Sequence, residues 1–228
     1  YLPTMSSDKL KDDYYMINCI VIGEGEMTTL ELMQKVDRGE EWKQTAGIAY
    51  MEQDEIVFTG KRDLIENLDD LPYPEYICNH NKQTVSMSLS RGCYGSCTFC
   101  YVRNFYSTCK GKYIRKRSPE NVVGEIESVI RTYNPKFISF VDENFSIGNK
   151  QGKEWFYRFA ELIKEKNIKI KFYCFMRAND VISNYDILKD YISVGLYNVF
   201  IGVESFLDSH LKFYNKMVTA EQNIEALR

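Results

Sequence analysis

Ser90-Arg91-Gly92-Cys93-Tyr94-Gly95-Ser96-Cys97-Thr98-Phe99-Cys100 is the stretch around which this 228-residue chain is organised. Its three cysteines, spaced C-x3-C-x2-C, follow a β-type run from Thr84 to Ser90 and are punctuated by Gly92 and Gly95. Three thiolates on so short a tether can hold three irons of a cubane cluster and leave the fourth iron without a protein ligand. An iron with an open position can bind and activate a small molecule, the same difference that separates catalytic from structural metal sites. The competing reading is a structural zinc site completed by His80. Zinc sites favour paired C-x2-C units, however, and no second pair exists in this sequence.

Outward from the trio toward the C-terminus, strand and helix alternate, the pattern of a parallel α/β architecture. Ser118 caps a helix with Pro119 at its first position and an apolar stripe of Val122, Val123, Ile126, Val129 and Ile130, stopped by Asn134-Pro135. Phe137 to Val141 reads as a strand, followed by a helix that buries Phe156, Phe159, Leu162 and Ile163. A strand over 170–176, a helix from Tyr185 to Val194 closed by Gly195, and a strand over 198–203 continue the alternation. A further helix spans Leu207 to Tyr214, and Thr219 with Gln222 forms a capping box for the next. In parallel α/β barrels functional groups gather where strands end. Polar residues stand at those places: the cysteine trio, Asp142-Glu143-Asn144, Arg177 with Asn179-Asp180, and Glu204-Ser205.

Toward the N-terminus, Tyr15 to Ile22 reads as a buried strand that ends at Gly23-Glu24-Gly25-Glu26. Thr28 or Thr29 then caps a helix through Leu30, Leu32, Met33 and Val36 to Gly39. Strand, Gly-x-Gly turn and helix make a ligand-facing corner of an α/β sheet. A dinucleotide fingerprint needs a third glycine where Thr28 stands, so nicotinamide cofactors are not supported. Segments 46–51 and 55–59 form a hairpin, and the acidic stretch from Arg62 to Pro74 is a surface linker.

Composition narrows the rest. A net charge of −3 provides no global field for nucleic acid or an anionic membrane. The local patch from Lys110 to Arg117 reads as a solvated loop before a helix in preference to an RNA-binding surface, since only Tyr113 could stack a base. No apolar run reaches the roughly 18 residues that span a bilayer, and no signal peptide is evident. Seven cysteines without a regular disulfide framework point to a reducing cytoplasm.

The trio, with aromatic Phe99 before its last cysteine, resembles the radical S-adenosylmethionine (SAM) enzymes. Val21-Ile22-Gly23-Glu24-Gly25-Glu26, the following helix, Gly47-Ile48-Ala49-Tyr50 and the linker Leu68-Asp69-Asp70-Leu71-Pro72-Tyr73-Pro74 look like the cobalamin-dependent subfamily. The resemblance implies an α/β fold: an incomplete (βα) partial barrel over residues 79–228 with about four of six units. A connecting hairpin and linker would occupy 49–78, and the end of a Rossmann-like cobalamin-binding domain 1–48. It implies a 4Fe-4S cluster on Cys93, Cys97 and Cys100. SAM contacts would come from Phe99, Asp142, Glu143, Asn144, Arg177 and Glu204, and cobalamin contacts from Gly23, Glu24, Gly25 and Glu26. The carboxylates suit the SAM ammonium, and the Arg177 fork suits its carboxylate or a ribose oxygen. The implied activity is reductive SAM cleavage to a deoxyadenosyl radical, then C-methylation of a small metabolite or peptide, with a flavodoxin or ferredoxin as electron donor. Because the sheet stops short of a full barrel, its open edge leads to the expectation that the segment is inactive alone. Rival readings are a methylthiolating enzyme of RNA and a non-catalytic, metal-stabilised binding module.

Overall fold

The computed structural model describes residues 17–76, 83–145, 148 and 150–228. Cys78, His80 and the start of the expected first strand lie outside the described residues. Two compact units emerge: one of the residues up to Glu66 with Cys100–Tyr113, the other of Asn67–Phe99 with Ile114–Arg228.

In the first unit, strand β1 (Cys19–Val21) leads into helix α1 (Gly25–Asp37), and β2 (Ile48–Glu52) and β3 (Glu55–Phe58) form the expected hairpin. Gln53 and Asp54, at φ 49° and 63°, turn it with the left-handed pair that matches strand twist. Helix α2 (Val102–Ser107) completes the unit. Two expectations shift here. The helix begins at Gly25, ahead of Thr28 and Thr29, because extended Glu24 takes the cap position while its carboxylate accepts from Ile65 N at 2.9 Å. Among the described residues strand β1 pairs antiparallel with β2, Ile20 opposite Ala49, where the strand-turn-helix pattern suggested a corner of an α/β sheet. Gly47, at φ +82°, reverses the chain and its carbonyl accepts from Ile22 N at 2.8 Å.

The second unit follows the expected alternation. Its strands β4 (Thr84–Met87), β7 (Phe137–Phe140), β8 (Lys171–Arg177) and β9 (Leu196–Gly202) form one parallel four-stranded sheet in sequence order. A two-stranded ribbon, β5 (Ser90–Arg91) with β6 (Arg115–Lys116), stands beside it. The helices are α3 (Pro119–Tyr133), α4 (Lys150–Glu165), α5 (Ala178–Ser183), α6 (Tyr185–Ile192), α7 (Asp208–Phe213) and α8 (Ala220–Leu227). Local signals set their ends: Ser118 Oγ accepts from Asn121 N, Asn134 closes α3 at φ 45°, and Thr219 with Gln222 forms the full capping box.

Alternation along each strand separates two faces. Val85, Met87, Ile138, Phe140, Phe172, Cys174 and Met176 pack with the stripes of α3 and α4 in the main core. The opposite face carries Ser86, Ser139, Tyr173 and Asn198 in one row, then Phe175 beside Phe200. Behind β9, Gly195 sits at φ +111°, where a Cβ would collide with the Ile170 carbonyl. Gly195→Ala is therefore expected to lower the unfolding free energy by roughly 1–3 kcal/mol in a denaturant titration; an unchanged midpoint would contradict this packing.

The basic patch divides: Lys110 and Lys112 stand exposed in a loop, as expected, whereas the residues from Arg115 to Arg117 do not. Arg115 and Lys116 are pinned in β6, and Arg115 is buried. The Lys116 Nζ lies 4.9 Å from the Phe156 ring centroid, and burial lowers its pKa to about 8. Arg117 is ion-paired with buried Glu125 and donates to Ser88 O at 2.9 Å. Apolar ring faces and an internal carboxylate draw these three stems inward, so the C-terminal half of the cluster does not contribute to a surface patch.

Candidate cluster and cofactor site

The cysteine loop leaves the C-terminal side of the parallel sheet through β5. Cys93, Cys97 and Cys100 are each half-buried. Gly95 N donates to Cys93 Sγ at 3.3 Å, and Arg177 Nη1 donates to Cys97 Sγ at 3.3 Å. A Cβ at position 95 would sit 2.6 Å from Arg177 Nη1 and 3.4 Å from Cys93 Sγ, so glycine is what lets the guanidinium approach the loop. The turn after α7 clamps the other side. Thr98 N donates to Tyr214 O at 2.9 Å, Asn215 Nδ2 donates to Ser96 Oγ at 2.7 Å, and Phe99 meets Tyr214 edge-on at 5.6 Å. Phe99 itself is 56% exposed.

Among the described residues no three His, Cys, Asp or Glu side chains stand gathered as a ready metal-binding group. The donor chemistry nevertheless fits an iron–sulfur centre. Soft thiolates are the ligands such clusters take, and N–H donors already aimed at two of the sulfurs are the outer contacts that orient and tune such ligands.

Three acids and an amide follow the strand ends, and the structure gives them different work. Asp142 is 3% exposed, and its carboxylate accepts from Leu89 N and from both the N and Oγ of Ser90. These bonds bend the chain out of β4 into β5 and thereby aim the cysteine loop. Asn144, also 3% exposed, accepts from Arg177 N and donates to Asp180. Glu143 lies between them, half-buried, its Oε2 accepting from Gly92 N at 3.2 Å. Glu204, at φ 57°, accepts from buried Lys216 Nζ at 3.0 Å and keeps 37% of its side chain exposed. Arg177 is 5% exposed; beyond the bond to Cys97 it donates through Nη2 to Lys216 O and lies over the Tyr94 ring at 5.3 Å. Gly23 to Glu26 belong to the other unit, at the β1–α1 turn. Gly23 is at φ +79°, and a Cβ there would strike Cys109 Sγ.

Sequence reasoning did not single out Ser90, Tyr94, Ser96, Tyr214, Asn215 or Lys216. Only Tyr94 carried a usable signal, as an aromatic inside the cysteine motif.

Burial raises the Asp142 pKa to about 6 despite the bonds it accepts. Its folded value therefore lies above the unfolded value of about 3.9. Between those values the folded chain holds a proton that the unfolded chain has released, so this group's contribution to stability falls as pH rises from about 4 through about 6. Asp142→Asn is expected to remove that slope from the unfolding free energy. An identical pH profile in the variant would show the carboxyl to be ionised throughout.

A model of the radical SAM superfamily matches residues 87–228, more than half of the chain. The chain belongs to the radical SAM superfamily. An uncharacterized methyltransferase of Pyrococcus horikoshii is 30% identical over 219 residues, covering 93% of this chain and 46% of that protein. The anaerobic magnesium-protoporphyrin IX monomethyl ester cyclase of Cereibacter sphaeroides is 29% identical over 93% of the chain and 35% of its own length. The hopanoid C-3 methylase of Methylococcus capsulatus is 26% identical, with 98% and 42% covered. Among solved structures, the cobalamin-dependent SAM radical enzyme OxsB, with aqua-cobalamin and SAM bound, matches with a TM-score of 0.80 at 26% identity. That match covers 100% of this chain and 33% of OxsB. The chain thus spans less than half the length of these relatives. The radical SAM core carries the expected α/β arrangement with its parallel sheet. Among the described residues no helix is long and apolar enough to cross a membrane.

Proposed function

We propose that this chain is part of a cobalamin-dependent radical SAM enzyme that methylates carbon in a small metabolite or peptide. One observation carries the reading: a C-x3-C-x2-C loop at the C-terminal side of a parallel sheet, with Gly95 N and Arg177 directed at two of its sulfurs. Cys93, Cys97 and Cys100 would hold a 4Fe-4S cluster. Bound there, the cluster supplies the electron for reductive cleavage of SAM to methionine and a deoxyadenosyl radical.

The chain's own residues bind, aim and shield. Glu143, half-buried and at a strand end, suits the SAM ammonium through a charge-assisted hydrogen bond. Glu204, fixed by Lys216, suits the ribose hydroxyls. Phe99 keeps more than half its surface open beside the last cysteine and would shield the reacting centre from water. Asp142 and Asn144, both internal, support the loop and Arg177 and do not offer a free face to SAM. The open sheet face with Tyr173, Phe175 and Phe200 lines the side on which a substrate would lie. At the β1–α1 turn, Gly23, Glu24, Gly25 and Glu26 would face cobalamin, the source of the methyl group. A flavodoxin or ferredoxin of the cytoplasm suits the electron supply. Support for the subfamily comes from relatives that include a methylase and from the OxsB match. The rival RNA reading draws less from the basic cluster, because Lys116 and Arg117 are engaged inside their own unit and Arg115 is buried, which leaves Lys110 and Lys112 exposed.

Anaerobic reconstitution with iron and sulfide tests the proposal. Brown protein that converts SAM to 5′-deoxyadenosine, retains added cobalamin and yields a methylated product supports it. Stoichiometric zinc without SAM cleavage would replace it by the binding-module reading.

A further inference from the structure

We infer that Arg177 tunes the cluster through the Cys97 sulfur, with Tyr94 as its positioning residue, and does not serve as the clamp for the SAM carboxylate. The inference rests on the trio being the cluster's ligands. A carboxylate clamp needs two parallel guanidinium N–H groups facing open space. In Arg177 each terminal nitrogen already spends one N–H, Nη1 on Cys97 Sγ at 3.3 Å and Nη2 on the Lys216 carbonyl, and the group is enclosed and does not face open space. Its Nε is buried without a hydrogen-bond partner, and the residue is 5% exposed. The guanidinium carbon lies 5.3 Å from the Tyr94 ring centroid, a cation–π arrangement that fixes a charge in place.

The support beneath it is continuous. Tyr94 Oη donates to Asp180 Oδ2 at 2.9 Å and accepts from Asn179 Nδ2 at 2.7 Å. Asp180 Oδ2 also accepts from Asn144 Nδ2 at 2.8 Å, and Asn144 Oδ1 accepts from Arg177 N at 3.2 Å. The ring under the guanidinium and the backbone from which it extends are thus held by one carboxylate, Asp180, and two amides, Asn179 and Asn144. Gly95 completes the arrangement, since any side chain there would push Nη1 away from the loop. A fixed positive donor on a ligating sulfur favours the cluster state with one more electron, because that state carries more negative charge. Hydrogen bonds to sulfur and local charge are among the factors that set cluster potentials. The Arg177–Cys97 contact therefore raises the midpoint potential and eases electron entry.

The test compares wild type with Arg177→Met, Arg177→Lys and Tyr94→Phe after anaerobic reconstitution. Three quantities are read: iron and sulfide content, midpoint potential by redox titration followed by electron paramagnetic resonance, and SAM affinity. Arg177→Met is expected to keep its cluster, to titrate at a more negative potential, and to bind SAM within about threefold of wild type. Tyr94→Phe shifts the potential in the same direction by less, and Arg177→Lys, which keeps the charge, falls between wild type and Arg177→Met. If Arg177→Met loses iron, the other two variants carry the comparison. A charged hydrogen bond is worth about 1.5–3 kcal/mol, so a lost SAM clamp would weaken SAM binding by roughly tenfold or more. That loss with an unmoved potential overturns the inference, as does an unmoved potential in every iron-containing variant. A wild-type protein that assembles no cluster overturns the reading of the trio instead, and this inference with it.

Discussion

Cys97→Ala, reconstituted without oxygen, is expected to lose its intact 4Fe-4S cluster and to cleave SAM more than about a hundredfold more slowly than wild type. The magnitude follows from ligation. Changing even outer contacts of a metal ligand costs about 10–100-fold in affinity or activity, and removing the ligand costs more. Cys97 is also the sulfur that receives the Arg177 hydrogen bond, so the variant leaves a buried guanidinium facing an empty position. The fold should persist at a cost of no more than about 1–3 kcal/mol for the unpaired donor, because the cysteine is half-buried in a loop whose clamp runs through its neighbours Ser96 and Thr98. Iron and sulfide assays with quantified 5′-deoxyadenosine read the loss, and a thermal melt confirms that the fold persists. A variant with a full complement of iron and wild-type cleavage would remove Cys97 from the ligand set and, with it, the proposed site.

The largest effect on stability belongs to the aromatic core. Phe159 is fully buried and lies among Phe140, Trp155, Phe172 and Tyr191, with ring centroids between 5.5 and 6.3 Å. Trp155 and Tyr191 stack on it with interplanar angles of 10° and 17°. Phe159→Ala removes the ring and leaves a cavity that these rigid neighbours cannot close, at a cost of about 3–5 kcal/mol. Ring-pair interactions beyond area burial add to that loss. Domains of this kind hold about 5–15 kcal/mol in total, so a chemical denaturation midpoint should fall by a large fraction of its value. A shift below about 1 kcal/mol would mean that α4 is not seated on the sheet as described.

Much of the second unit was legible because its signals are local. The stripe Val122, Val123, Ile126, Val129 repeats at helical spacing, Ser118 and Asn134 punctuate its ends, and Thr219 with Gln222 declares its own cap. Each of these depends on residues a turn apart, where backbone geometry alone dictates who meets whom. The cysteine spacing was legible for the same reason. The N-terminal turn was read less well: the Gly-x-Gly pattern identified a strand entering a helix, yet pairing direction is set by which strand lies alongside. In the folded chain that partner is the antiparallel β2.

The functional assignments divide along the same line. Three closely spaced cysteines, and strand ends bearing acids and an arginine, are properties of residue type and period, and the amino-acid order alone determined them. Which of those polar groups is available for a ligand was decided only by tertiary structure. Asp142 accepts from Leu89 and Ser90 where β4 turns toward β5, and Arg177 donates from one terminal nitrogen to Cys97 and from the other to Lys216. Asn215 clamps Ser96 across 119 positions of sequence. Partners so far apart leave no periodic trace, because packing of the sheet against its helices, and not any local rule, brings them within hydrogen-bond reach.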